Sequence, residues 1–594
     1  MRPSPLRAME GDESVPLIRN EGQGPSLRGV ESPMKQRSAC GNVVRRLFRR
    51  KRIEDILSEQ SEDHEAGQGL SRSLTSFDLI AYGLGSTIGA GLFVVTGKAA
   101  KQMAGPAVTI SFLLAAFSGL LSAFCYAEFA TRVPVAGSAY SYAYVCFGEL
   151  VAWFIGWNLT LEYGISASAV ARGWADYAVS FLRTVGVSVP KWVHEIELGW
   201  PILSKELSPL AMSIVLLCSA LLLFGVSESA RLNLIITCIN GFLILFIIVT
   251  GSSKIDEHNY DDFVPYGTSG VLSGAGFVFF SYIGFDCVCT LSEELKNPKR
   301  DLPIAIVGTL VTVSALYIAV SFVLTGMVKY SDLDMKAPLA DAFLRVDLPW
   351  AAVIVAFGTV TILSSTTLCS LFGQPRVFFA MAKDGLMHRR FSRINPKTKV
   401  PEFGTYVCGA ASAVLAFCFD IDSLTGMISV GTLMAFMIVS LGTVVLRYEG
   451  PGGAAGSRCT GWLALFLVTA VASNVGWTTR GFPKQLSLIM SALSFLAVLR
   501  LSFLPQNPVN ETKAEGDSEH AHMKGSIFAC PLVPWIPCLG IYINLNLILS
   551  LEYNTLLRLL VWTAIGMVIY FGYGMKNSKL NAQGLQGGER SHLL

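Results

Sequence analysis

Charge is scarce in this chain of 594 residues, of which 15% are Asp, Glu, Lys or Arg and 52% are hydrophobic. So little polar surface cannot cover a water-soluble globule of this length, so the composition excludes that class and indicates lipid as the solvent. No basic face with interleaved aromatic residues is present, and nucleic acid is therefore not an expected partner. The expected surroundings are a lipid bilayer.

Histidine and loop cysteine are also rare. All 7 histidines fall in tails or loops without partners at ligand spacing, so no metal site is predicted. None of the 13 cysteines lies in a loop predicted to face outward, and no obligate disulfide-linked subunit is expected. The chain also lacks a Gly-x-Ser-x-Gly elbow or any other nucleophile with a base partner. We therefore predict that it is not an enzyme and needs no cofactor.

Long apolar segments are abundant, and a helix needs about 17 to 25 such residues to cross a bilayer. Fourteen segments qualify, at residues 79–97, 107–127, 150–171, 207–227, 232–253, 263–285, 302–328, 348–375, 403–419, 423–446, 461–477, 485–504, 525–551 and 559–575. Continuous aliphatic runs indicate helices rather than barrel strands, because a helix satisfies its backbone groups internally. The sequence predicts an all-α polytopic membrane protein with fourteen spans.

Loop charges predict the orientation of these spans. An even number of spans puts both termini in the cytoplasm, and a basic cluster at residues 45–52 precedes the first span, as the positive-inside rule requires. The loop after span 8, residues 376–399, is rich in Lys and Arg, whereas the loop after span 5, residues 256–262, is acidic. No cleavable signal precedes the first span.

The same pattern predicts the organisation of the chain. We assign residues 1–76 to an N-terminal cytosolic tail and residues 77–450 to a ten-helix core of two repeats, 77–253 and 263–449. Two further helices follow at residues 451–505, a polar cytosolic linker at 506–524 and two more helices at 525–576. Residues 577–594 form a C-terminal cytosolic tail. Both tails contain an acidic dileucine pattern, at residues 13–18 and 589–594. A plasma membrane and a vacuolar or lysosomal membrane are both open.

Two spans contain residues that interrupt a helix. Span 1 has four glycines in nine residues from Gly83 to Gly91, and span 6 has Gly284 directly before Asp286. Spans 1 and 6 occupy corresponding positions in two five-helix halves, which is typical of inverted-repeat transporters with a midplane site. Bared N–H groups in span 1 are suited to a carboxylate and bared carbonyls in span 6 to an ammonium group. Tight helix packing is the alternative interpretation of the span 1 glycines.

Acidic residues at membrane depth are costly and functional by default. Asp286 ends the break in span 6, Glu162 interrupts span 3, and Glu128 lies near the end of span 2. For Glu128, an interfacial pair with Arg132 is the alternative to a gating role. Excess buried acid favours a cationic substrate.

The order of several motifs resembles the cationic amino acid transporters of the amino acid, polyamine and organocation superfamily. The likeness covers residues 73–449 and rests on runs at Gly85–Gly91, Phe124–Phe129, Val133–Tyr140, Ile283–Asp286, Glu293–Pro298, Pro375–Val377, Met381–Leu386 and Ser429–Leu433. Each run alone is weak, but their order and spacing together are specific. The resemblance implies a LeuT-type fold of two inverted five-helix repeats plus four C-terminal helices.

The resemblance also implies roles for individual residues in binding an amino acid. The positions expected to bind the substrate carboxylate are Ser86, Thr87, Ile88, Gly89, Ala90 and Gly91. Phe280, Ser281 and Ile283 are expected to offer carbonyls to its amine, and Asp286 and Glu162 to face its side chain. Apart from the resemblance, the polar run Ser364–Thr367 in span 8 is a candidate lining of the same cavity, and ordinary helix packing is the alternative interpretation.

Two positions depart from parts of the family. At Glu162 the chain is similar to plant and bacterial members, whereas animal members tend to lack this acid. Asn240 in span 5 stands where proton-coupled bacterial relatives have a lysine, and an amide does not titrate. We therefore predict uniport or coupling through a carboxylate, with Glu128 and Asn240 as positions to examine for coupling or gating.

Three functions are alternatives to the transport of cationic amino acids: an ion channel, a broad or neutral amino acid transporter, and a sensor. An ion channel is disfavoured, because channels usually repeat one pore element per subunit and paired breaks in one chain favour alternating access. A broad or neutral amino acid transporter, and a sensor that binds with little transport, use the same site and stay open.

Overall fold

The computed structural model describes most of the chain. The described residues are 47–53, 55, 56, 58, 74–135, 137–197, 206–223, 227–395, 398, 400–448, 457–478, 483–507, 528–551 and 553–580. Both dileucine patterns, Cys40, the start of the basic cluster and most of the polar linker lie outside these residues.

All fourteen predicted segments contain a helix. Spans 1 to 7 are Ser76–Thr87 continuing through Gly91–Val95, Thr96–Ala99 and Ala100–Ala104; Val108–Arg132; Glu149–Thr160 continuing to Ser166–Thr184; Pro209–Leu223; Ser227–Ser252; Gly267–Val278 continuing to Phe285–Glu294; and Pro298–Met327. Spans 8 to 14 are Pro349–Lys383, Glu402–Cys418, Ile421–Arg447, Ser457–Thr478, Lys484–Ser502, Trp535–Leu549 and Tyr553–Ile569.

Length and apolarity support membrane crossing by most of these helices, span 3 being the exception. Among the described residues, 8 helical segments are long and apolar enough to span, and the first of them, Ser76–Arg132, contains both span 1 and span 2. Spans 4, 9 and 13 and residues Ile236–Ser252 of span 5 are apolar helices of 10 to 17 residues. Large hydrophobic side chains such as Phe242, Phe357 and Val568 are exposed on the outer faces, as expected of surfaces that contact lipid.

The two halves of the core share one plan. Each begins with a broken helix and continues with a long helix, span 2 or span 7. Each then has a short helix before its third span, Ala139–Phe147 in the first half and Pro338–Arg345 in the second. This recurrence is what two five-helix repeats require. Spans 2 and 7 pack together, as do spans 3 and 8, so the halves interlock around one core.

Short elements connect the spans on the side that the sequence predicts to be external. A helix at Lys191–His194 precedes a two-stranded antiparallel sheet of β1, Ile196–Glu197, and β2, Glu206–Leu207. Lys336 pairs with Glu195 and so joins this loop to the loop after span 7. Partial burial would raise the pKa of Glu195, but the ion pair outweighs it and the pKa lies below its usual value.

The last four spans attach to the core in two ways, with spans 13 and 14 packed directly on span 10. Spans 11 and 12 pack on each other and contact the core mainly through spans 10 and 13. Span 13 differs from its predicted extent, because its helix begins at Trp535 rather than near residue 525. The described residues before it are non-helical and contain Pro531 and Pro534, and proline cannot continue the hydrogen bonding of a helix interior.

Candidate substrate site

Span 1 leaves the helical path in the middle of its glycine-rich run. A capping box between Thr75 and Asp78 starts the helix, which ends at Thr87, and Ile88 is extended with φ −76° and ψ 104°. Helical structure resumes at Gly91. The backbone N–H groups of residues 89 to 91 find no acceptor among the described residues, which confirms a break with bared donors at the start of a helical segment.

Polar side chains from the other repeat hold the carbonyls of this break. The Tyr317 hydroxyl donates to Thr87 O over 2.8 Å, and the Thr366 hydroxyl donates to Ile88 O over 2.7 Å. These two bonds satisfy acceptors that an intact helix would satisfy internally. The backbone N–H groups of residues 89 to 91 are then the polar groups of the break that have no hydrogen-bond partner among the described residues.

Span 6 is broken at the matching position. Its α-helix ends at Val278, and a 3₁₀ turn over Phe279–Tyr282 follows. Ile283 is extended with ψ 136°, and Gly284 has φ 119°, a left-handed conformation that favours glycine. A second 3₁₀ stretch then carries Asp286. Span 6 thus departs from α-helical geometry on both sides of Ile283 and Gly284, and the amino-acid sequence at these positions specifies the break.

The two breaks lie against each other. The Ser86 hydroxyl donates to Gly284 O over 2.9 Å. A Cβ atom placed on Gly91 would lie 2.4 Å from the Cα atom of Ser281, which is closer than packed carbon atoms approach. Glycine at position 91 therefore allows the backbones of spans 1 and 6 to meet.

Both predicted membrane acids reach this junction. Span 3 contains a single π-helical turn, Leu161–Ile165, which carries Glu162; such turns occur frequently at functional sites. Glu162 and Asp286 are fully buried neighbours. Asp286 Oδ2 accepts a 2.7 Å hydrogen bond from the Tyr163 hydroxyl, whereas Asp286 Oδ1 and both oxygens of Glu162 have no partner that meets hydrogen-bond geometry among the described residues.

The carbonyls predicted in span 6 differ in their availability. Phe280 O accepts from Ile283 N over 3.2 Å, so one of its lone pairs is occupied. The carbonyls of Ser281 and Ile283 have no donor among the described backbone groups, and the Ser281 hydroxyl is buried without a partner. The break thus presents two carbonyls and one hydroxyl close to Gly91.

Glu128 lies in a different environment from the other two acids. Its carboxylate accepts from Arg447 Nε over 2.8 Å and Nη2 over 3.0 Å, from Arg132 over 2.6 Å and from the Cys530 backbone over 2.8 Å. The expected pair with Arg132 is therefore present, within a larger network. These contacts favour a structural role, and a gating role for Glu128 stays a prediction. Asn240 is buried in span 5, which packs on span 1.

Several neighbours were not assigned from the sequence. Tyr163 follows Glu162 directly, and that adjacency is the only signal for it. Tyr317 and Thr366 lie more than two hundred residues from the carbonyls that they contact, so no local pattern reveals them. In the Ser364–Thr367 run, Ser364 accepts from Trp174 and Thr367 donates to Leu363 O, whereas Thr366 contacts the break.

The junction has a donor pole and an acceptor pole. The bared N–H groups after Ile88 are suited to a carboxylate, since they begin a helical segment. The carbonyls after Phe280 are suited to an ammonium group, and the two carboxyl groups beyond them to a second positive charge. An α-amino acid with a basic side chain carries these three groups in that order.

Comparison with known proteins gives the same family along most of the chain. A model of the amino acid permease family matches residues 74–513, and one for the C-terminal part of such permeases matches residues 528–578. A vacuolar cationic amino acid transporter 4 of Arabidopsis thaliana is 37% identical, over 90% of this chain and 96% of its own length.

Other relatives have similar sequence identities and coverages. The human cationic amino acid transporter 4 is 34% identical over 93% of this chain and 94% of its own, and a branched-chain amino acid permease of Bacillus subtilis is 35% identical over 90% and 99%. A solved structure of a substrate-bound, outward-open Na⁺-coupled sialic acid symporter has 14% identity and a TM-score of 0.48, covering 79% of this chain and 96% of that one. The chain belongs to the amino acid permease family, and it is similar over nearly its whole length to the cationic amino acid transporters.

Proposed function

We propose that this membrane protein is a secondary transporter that moves amino acids by alternating access and favours cationic ones such as arginine, lysine and ornithine. One observation carries the preference: Glu162 and Asp286 are buried side by side next to the paired breaks, and three of their four oxygens have no partner that meets hydrogen-bond geometry among the described residues. Buried carboxylates are normally paired with a cation. A guanidinium or ammonium group of the substrate supplies that partner.

The paired breaks support transport rather than binding alone. Discontinuous helices in corresponding positions of two repeats are the feature on which rocking of one repeat against the other depends. The family is one of permeases, so the protein is not an enzyme. The relatives named as vacuolar and the positive loop after span 8 support a membrane location with cytoplasmic termini, in either a vacuolar or a plasma membrane.

A neutral or broad amino acid transporter is the second candidate. The branched-chain permease of Bacillus subtilis is as similar to this chain as several cationic transporters are, and the donor and acceptor poles fit the backbone of any α-amino acid. The two candidates differ in the substrate side chain that faces the carboxyl pair, which is positively charged in the first and uncharged in the second.

Reconstitution into liposomes tests both. We expect saturable uptake of labelled arginine and lysine that is accelerated by unlabelled arginine on the opposite side, with weaker uptake of alanine and glutamine. Glu162→Gln and Asp286→Asn should each raise the arginine concentration at half-maximal uptake about tenfold to a hundredfold, because a hydrogen bond to a charged group contributes about 1.5–3 kcal/mol. Alanine uptake should change little.

Asp262→Asn is the matched control, because this carboxyl group is exposed in the loop after span 5. Strong alanine uptake without arginine uptake would overturn the cationic preference and leave transport standing. Arginine binding without flux would identify a sensor instead.

A further inference from the structure

The carboxyl pair of the proposed substrate site has an unusual charge environment. Around Glu162 and Asp286, the titratable groups that face the pair are tyrosines from span 2, from the helix Ala139–Phe147 and from span 3, and cysteines from span 6: Tyr126, Tyr142, Tyr163, Cys287 and Cys289. None of these is a cation. No Lys, Arg or His forms an ion pair with either carboxyl group in the described part of the chain.

Two other buried acids, Glu128 and Glu149, are compensated. Glu128 has two arginines and a backbone donor. Glu149 accepts hydrogen bonds from Tyr144, Tyr570 and Ser578. Only the Glu162–Asp286 pair, among these acids, has unpartnered oxygens.

Two neighbouring carboxyl groups away from water do not both ionise, since each charge disfavours the other and burial disfavours both. Such a pair titrates as a unit and retains one proton over a wide pH range. With no substrate bound, one carboxyl group keeps its O–H and the other is ionised, so the pair carries a single negative charge. Tyr163 donates to Asp286 Oδ2, which stabilises an ionised form at Asp286 and leaves Glu162 as the proton carrier.

A basic side chain changes this balance. When an ammonium or guanidinium group binds, its positive charge compensates the second negative charge, and the O–H bond of Glu162 breaks to release its proton to water. The occupied site then holds two negative charges and one positive charge, for the same total as the empty protonated site. The return of the empty site across the membrane requires the proton to rebind.

We propose that this chain exchanges protons for cationic amino acids, one for one and without net charge movement, with the Glu162–Asp286 pair as the shared site. The proposal rests on the proposed function and adds to it the coupling ion and its direction. Asn240 in span 5 is an amide and does not titrate, so it is not the proton site. Such exchange moves basic amino acids toward the more acidic side of a membrane, and neutral amino acids release no proton.

The experiment uses the full chain in liposomes that contain a trapped pH-sensitive dye, with potassium and valinomycin holding the membrane potential at zero. Adding arginine outside should make the interior more alkaline, with one proton leaving for each labelled arginine that enters. Alanine should give no dye signal. An acidic interior should accelerate arginine uptake.

A potassium diffusion potential provides the second measurement. Electroneutral exchange should be insensitive to it, whereas uniport of a monovalent cation would accumulate substrate about fifty-fold per 100 mV. In Glu162→Gln, arginine supplied at saturating concentration should enter without a dye signal and respond to the potential, because Asp286 alone carries one fixed charge. Asp262→Asn should behave as the native chain does.

The outcomes separate the two proposals. Arginine uptake with no dye signal and a strong response to potential in the native chain overturns proton exchange and leaves arginine transport intact. A dye signal that survives Glu162→Gln also overturns it. Absence of arginine uptake in the native chain overturns the cationic preference and the exchange together.

Discussion

At the scale of single residues, the three membrane acids that look alike in the sequence have different surroundings. Glu128 is saturated by four hydrogen bonds, three of them from arginine side chains. Glu162 and Asp286 lie together with few partners. A buried charge that is already compensated stabilises the fold, whereas an uncompensated pair is available to a ligand.

Glu128→Gln should therefore destabilise the protein by about 3 kcal/mol, because removing one partner of a buried ion pair leaves the other charge uncompensated. Thermal unfolding in detergent measures this, and the melting temperature should fall clearly below that of Asp262→Asn. An unchanged melting temperature together with lost arginine uptake would instead support a direct role for Glu128 in gating or coupling.

At the scale of secondary-structure elements, the breaks in spans 1 and 6 are held by contacts between the repeats. Ser86 bridges to span 6, and Tyr317 and Thr366 reach span 1 from spans 7 and 8. Broken helices in a bilayer are tolerated only where other groups satisfy the freed backbone. The unsatisfied remainder, the N–H groups after Ile88 and the carbonyls after Phe280, is what a substrate would bind.

Gly91→Ala should abolish arginine uptake while the protein still inserts. Its Cβ atom would lie 2.4 Å from the Ser281 backbone, so the two breaks would have to separate, and overpacking of this kind costs about 1–3 kcal/mol. Labelled uptake and size-exclusion chromatography measure function and folding. Gly241→Ala is the control, since a Cβ atom there meets nothing within 4 Å and uptake should be retained. Native uptake by Gly91→Ala would contradict the close approach.

At the scale of the whole molecule, both described chain ends meet the loop after span 8. Lys51 pairs with Asp384 over 2.5 Å, and Arg49 donates to Leu580 O over 2.8 Å. Ser578 donates to Glu149 at the start of span 3. The two ends therefore lie on the same side as the basic loop, as an even number of spans requires.

Membrane-impermeant thiol labelling tests which side this is. In intact cells that display the protein at their surface, a cysteine introduced as Ser253→Cys should be labelled, because it follows span 5 next to the acidic loop. Ser392→Cys should be labelled only after permeabilisation, since basic loops remain in the cytosol. The native chain gives the background from its own cysteines. The reverse pattern would invert the predicted orientation.

Much of the architecture is predictable from the sequence, because membrane helices are specified locally. Each run of about twenty apolar residues must be helical in lipid, and all fourteen such runs contain helices. The glycine clusters of spans 1 and 6 likewise indicated the breaks. The start of span 13 was misplaced, because apolar composition extends through Pro531 while helical hydrogen bonding does not.

Sequence alone thus determined the all-α membrane fold, the family and the positions of the breaks, since each depends on neighbouring residues. Only the tertiary structure decided which buried polar groups find a partner. Glu128 and Glu162 are equally improbable in a bilayer, yet distant residues such as Arg447 compensate the first, and the second meets another acid, Asp286. Compensation of a buried charge depends on which helices pack together, and no local pattern records that.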